Sequence, residues 1–140
     1  MPGDRERDAL LWLGFALGDL EASRAVRGRH VRPRIVAFSA QQAVEKALKA
    51  ALILDGVAVP RTHDLDDIRN RLSAGWRVRR RFPDLARLSD FAVDSRYPED
   101  MTPVTPLQSA VAVRQAVAII RAIREDFARR GLDTSLLESR

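Results

Sequence analysis

Residues 38–52, Phe-Ser-Ala-Gln-Gln-Ala-Val-Glu-Lys-Ala-Leu-Lys-Ala-Ala-Leu, hold the pattern that most restricts how this chain folds. Phe38, Gln41, Glu45, Leu48 and Leu52 recur at alternating intervals of three and four, the spacing of one helical face. An otherwise apolar stripe thus carries an amide and a carboxylate, which need partners once covered. The expectation is a buried polar network or a helical interface, with Gln42 beside it and Asp19 as a further member.

Helical periodicity continues on both sides. Ala9, Leu13, Ala16, Leu20 and Ser23 form one stripe of a first helix over roughly residues 6 to 27, where Gly14 and Gly18 could permit close packing by a neighbouring helix or weaken the helix locally. Pro33 suits the first turn of a long second helix that stops near Asp55-Gly56. Thr62 is placed to cap a third helix with the stripe Leu65, Ile68 and Leu72, and Asp66 and Asp67 read as helix-start or surface charges. Pro83 could open a fourth, with Leu85, Leu88, Phe91 and Ala92 as its apolar face. Thr105-Pro-Leu-Gln108 carries a cap, a first-turn proline and a capping-box glutamine in order. Behind it Val113, Ala116, Ile120, Ile123 and Phe127 make a core stripe, flanked by Arg114, Arg121 and Arg124.

No strand alternation, internal repeat or dinucleotide loop competes with this pattern. The expected fold is all-α, an up-and-down bundle of four to five helices in a single domain over residues 1–140, with flexible ends near 1–5 and 131–140. A chain of 140 residues can bury such a core without disulfide or metal support.

The chain has no cysteine and only two histidines, His30 and His63. Thiol catalysis, disulfide scaffolding and a multi-histidine metal cluster are therefore excluded within one chain, and no metal or cofactor is expected. The amino terminus lacks the basic-then-apolar order of a secretory signal, and charges interrupt every apolar stretch before membrane-spanning length. A cytoplasmic location without membrane contact is expected. His30 and His63 read as structural or solvated residues.

The net charge of +5 is carried largely by arginine, since Lys46 and Lys49 are the two lysines. Its densest run, Trp76 to Phe82, places Arg77, Arg79, Arg80 and Arg81 between two aromatic residues. Those arginines could contact phosphates while an aromatic ring stacks a base. Equally, Trp76 and Phe82 could anchor a short connection whose arginines face water.

Four ordered signatures add a resemblance. They are Trp12-x-x-x-Ala16-x-x-Asp19-Leu20-x-Ala22; the Phe38 to Ala50 segment with Gln41-Gln42-Ala43 and Glu45-Lys46-Ala47-Leu48-Lys49; Thr62-His63-Asp64-Leu65; and Ser95-Arg96-Tyr97-Pro98. Together, over about residues 6 to 127, the chain resembles the HEPN family. The resemblance implies a helical domain that often forms homodimers, is often partnered by a minimal nucleotidyltransferase, and associates with nucleotide or RNA. Some members of that family are metal-independent ribonucleases with an arginine followed four to six residues later by a histidine, in a composite site between two protomers. Here Arg96 falls in the arginine region, and no histidine follows it.

That departure bears on chemistry. Arginine stabilises phosphate charge but is a poor general base, whereas imidazole exchanges protons near neutral pH. The resemblance therefore implies a branch without the catalytic histidine, with Arg96 and Tyr97 as ligand-facing residues and Arg96 as the catalytic candidate if the domain is a nuclease. Within the chain's own pattern, Glu45 could accept a bond from Arg96 or Lys46 while Gln41 bridges to backbone or another side chain.

Overall fold

The structure, a computed structural model, describes residues 3–26, 30–92 and 103–138. Its elements are α1 (Asp4–Val26), α2 (Pro33–Asp55), α3 (Leu65–Asn70), α4 (Arg77–Arg81), α5 (Ala86–Asp90) and α6 (Pro106–Arg129), followed by a 3-10 turn at Ser135–Glu138. The chain is the helical bundle its periodicity predicts. The basic run read as a connection is itself helical, as α4, which adds a sixth helix among the described residues.

α2 is the central element. It packs along α1 on one side and α6 on the other, whereas α1 and α6 meet at few positions. Small side chains permit this close packing: Ala37, Ala40, Ala43, Ala47, Ala50 and Ala51 are all fully buried on α2. The stripe Ala9, Leu13, Ala16, Leu20 and Ser23 is the buried face of α1, and Ser23 Oγ donates to the Val36 carbonyl at 3.2 Å. Phe38 departs from its predicted stripe. It is 44% exposed, whereas the other four members of the stripe, Gln41, Glu45, Leu48 and Leu52, are buried.

Helix ends follow local chemistry. Gly56 adopts φ 75°, and the Gly56 and Val57 amides reach back to Ile53 and Leu52, so α2 closes with a left-handed glycine. Thr105 and Gln108 exchange both bonds of a capping box at 3.1 and 3.0 Å. The cap of α3 is Asp64 rather than Thr62: Asp64 Oδ1 accepts from the Asp66 and Asp67 amides, while Thr62 Oγ1 accepts from the Asp64 amide one step earlier. Likewise Pro83 precedes α5 without entering it. Gly14 and Gly18 do not admit a helix, since a Cβ on Gly14 would meet only Leu137, at 3.7 Å, and one on Gly18 nothing within 4 Å.

Trp76 ties the short helices to the bundle. Its fully buried ring meets Phe127 edge-on at 6.0 Å, and the Arg130 guanidinium lies 3.9 Å from its centroid. The Arg77 amide donates to buried Asp126 Oδ2 at 2.7 Å, fixing the start of α4 against the end of α6. No helix among the described residues is long and apolar enough to cross a membrane.

Candidate functional site

The polar interruption of α2 is the centre of a network. Glu45 is 5% exposed and receives three donors: Gln41 Nε2 at 3.2 Å and His63 Nδ1 at 2.8 Å on Oε1, and Lys49 Nζ at 3.0 Å on Oε2. Gln41, fully buried, is itself oriented at both ends. Its carbonyl accepts from Gln42 Nε2 at 2.7 Å, and its amide also reaches the His63 carbonyl at 3.4 Å. Gln41, Gln42 and Glu45 are thus joined by side-chain hydrogen bonds on one side of α2.

Two of its members differ from expectation. Lys46 does not bond Glu45; it points to the other side of α2 and pairs with Asp19 Oδ2 at 2.7 Å, linking α2 to α1. Asp19 therefore stands outside the Glu45 centre. Lys49, one turn beyond Glu45, takes the place assigned to Lys46, because positions four apart share a helix face whereas adjacent ones do not.

Burial raises the Glu45 carboxyl, but the hydrogen bonds from His63, Lys49 and Gln41, together with the Lys49 charge, outweigh it and hold the group below the usual glutamate range. An ionised carboxylate only accepts hydrogen bonds, so His63 Nδ1 carries the shared proton. The His63 side chain is 70% exposed. A buried acid thus fixes the orientation of a solvent-facing imidazole, leaving its second nitrogen available outside the network.

His63 sits at a shallow cleft of about 370 Å³ with Asp64, Asp66, Ala86, Ser89 and Asp90. Most of these side chains hold the cleft's own frame. Asp66 Oδ1 takes Arg69 at 2.5 Å and the Leu85 amide at 2.9 Å, and Ser89 Oγ takes the Leu65 amide at 2.7 Å. Among the described residues no group of three histidine or carboxylate side chains is arranged to hold a metal ion.

The basic run lies apart from this centre. Arg77 Nη1 meets Glu125 at 2.6 Å and Arg79 donates to the Leu72 carbonyl, while Arg80 and Arg81 are exposed. Arg96 and Tyr97 lie outside the described residues. His63, expected as a structural or solvated residue, thus meets Glu45 from eighteen residues away, a pairing that only the Thr-His-Asp-Leu signature beside the Glu-Lys-Ala-Leu-Lys segment signals in the sequence.

An all-helical bundle with a polar centre on its middle helix and a histidine presented from the following connection defines the class of domain. A family model described as "HEPN domain" matches residues 9–129, and the chain belongs to that family. The crystal structure of TT1696 from Thermus thermophilus is similar at 25% identity and a TM-score of 0.70, over 88% of this chain and 98% of that one. Comparison with curated proteins returned no match.

Proposed function

We propose that this chain is a HEPN-like accessory domain that associates with nucleotide or RNA, works as a homodimer, and serves beside a minimal nucleotidyltransferase. Family membership over residues 9–129 carries this reading, since the matched span includes the Gln41–Lys49 centre, the His63 connection and the Arg96-Tyr97 segment. In this reading Arg96 receives phosphate and Tyr97 adds a hydroxyl contact or an aromatic wall. The Glu45 network keeps α2 and the His63 connection in fixed relation. No histidine follows Arg96, which favours a binding role over catalysis.

A second reading, a divergent metal-independent ribonuclease, is favoured by one observation: the exposed His63 imidazole with its Nδ1 fixed on buried Glu45. It supplies a proton acceptor that the sequence pattern lacks, with Arg96 offering phosphate stabilisation. Titration of purified protein with labelled single-stranded RNA, followed by recovery of the RNA, separates the two readings. Saturable binding of intact RNA, weakened by Arg96→Ala, supports the accessory domain. Shortening of RNA in the presence of a chelator, abolished by His63→Ala, supports the nuclease.

A further inference from the structure

Because α1 and α6 both pack on α2 and scarcely on each other, a groove opens between them. It encloses about 930 Å³ and shares no residue with the His63 cleft. Its apolar surface comes from Leu17, Leu20, Val117, Ile120 and Leu137, all aliphatic. Arg24, Arg121 and Arg124 line it as well.

The charges along this groove are unevenly matched. Among the described residues Arg24 and Arg121 have no ion pair, and both are exposed. Arg124 is anchored on Thr134, through its hydroxyl and its carbonyl, both at 3.3 Å. Of the two acids in the lining, Glu125 is already paired with Arg77 at 2.6 Å, and Glu21, exposed and without an ion pair among the described residues, stands three residues before Arg24 on α1. The groove therefore presents an aliphatic surface whose unmatched charges are the guanidinium groups of Arg24 and Arg121 and the single carboxylate of Glu21, a net positive balance.

We propose that the α1/α6 groove docks an amphipathic helix with an acidic flank, supplied by a partner polypeptide. Shape favours this occupant: the lining runs from residue 17 to 25 on α1 and from 117 to 128 on α6, about 12 and 16 Å at the helical rise, or two to three turns. A helix laid there places aliphatic side chains at i, i+3 and i+4 on the groove surface. Its flanking carboxylates meet guanidinium forks, a pairing suited to bidentate contact. The lining contains no aromatic side chain to stack a base, which disfavours a nucleotide.

The test uses the full-length protein and a small set of labelled synthetic helices of about 18 residues. The set carries Leu or Val at the i, i+3, i+4 and i+7 positions and Glu along the flank, with matched members in which Lys replaces Glu. Fluorescence anisotropy should give saturable binding for at least one Glu-flanked helix. Arg24→Glu with Arg121→Glu should weaken that binding by roughly tenfold or more and transfer preference to the Lys-flanked helix. Because both arginines are exposed, circular dichroism should show the reversed variant folded.

Absence of binding across the whole Glu-flanked set overturns the proposal. So does binding that the double reversal leaves unchanged. Displacement of the bound helix by ATP or by single-stranded oligouridine, lost on the same reversal, assigns the groove to nucleic-acid chemistry instead. A change in oligomeric state on reversal, with no peptide bound by the unaltered protein, assigns it to a second copy of the chain.

Discussion

His63 Nδ1 lies 2.8 Å from Glu45 Oε1, joining an imidazole that is 70% exposed to a carboxylate that is nearly all covered. The acid belongs to the central helix and the imidazole to the connection after it. The pair thus couples a buried charge of the bundle to its surface, and Lys49 supplies the opposing charge.

Glu45→Ala removes one partner of a buried ion pair and leaves Lys49 and Gln41 facing an empty position. The expected loss is about 3 kcal/mol, since an uncompensated buried charge costs more than the pair contributes. Urea unfolding followed by circular dichroism measures it. A loss below about 0.5 kcal/mol, the range of ordinary surface substitutions, contradicts the buried network.

Acid should weaken the fold through the same carboxylate. Glu45 is held below the ordinary glutamate value, so its contribution is complete above that value, about 4.3, and is lost as pH falls through the lower folded value. Asp55 acts in the same direction: burial raises it, but bonds from the Ser73 amide and hydroxyl, with the Arg130 charge, bring it below its usual range. Thermal unfolding between about pH 6 and 3 should show a shallower decline in Glu45→Gln than in the unaltered protein. An identical slope in the two refutes the assignment.

Trp76→Ala should cost about 3–5 kcal/mol, the usual range for deleting a fully buried large aromatic side chain. The same change removes the Phe127 contact and the surface under Arg130. Because Trp76 joins α4 to the end of α6, hydrogen exchange should rise first in residues 73–82. Uniform acceleration across the whole chain would instead mean that Trp76 supports the entire bundle.

Thr105→Ala tests the entrance to α6. It deletes the bond to the Gln108 amide and leaves Gln108 alone to bridge the cap, for an expected loss of about 1 kcal/mol. A melting temperature equal to that of the unaltered protein would show that packing alone fixes this helix start.

Much of this fold is legible in the residues themselves. The α1 stripe and the α6 capping box follow from spacing alone, because a 3.6-residue period and a threonine-to-glutamine interval of three are local properties. The covered arc of α2 is less so. Alanine is small enough to pack on any side, so the pattern cannot tell Phe38, exposed, from Ala40, buried.

The site was legible by half. That Gln41 and Glu45 need partners follows from their place on an apolar face, but which donors answer depends on where the chain returns after Gly56. His63 comes back beside Glu45 because the connection from Val57 runs along α2 before Asp64 caps α3, a tertiary fact that no local spacing encodes. Lys46 and Lys49 illustrate the same point within one helix, since their places around its axis decide whether a lysine faces Asp19 or Glu45.

We propose above all that this HEPN domain binds nucleotide or RNA as a homodimer. Multi-angle light scattering during titration with labelled single-stranded RNA and with nucleotides tests it most directly. The account predicts a dimer that saturates at a fixed number of sites and loses affinity in Arg96→Ala without changing mass. A well-folded protein that binds neither RNA nor nucleotide at any concentration reached would contradict it.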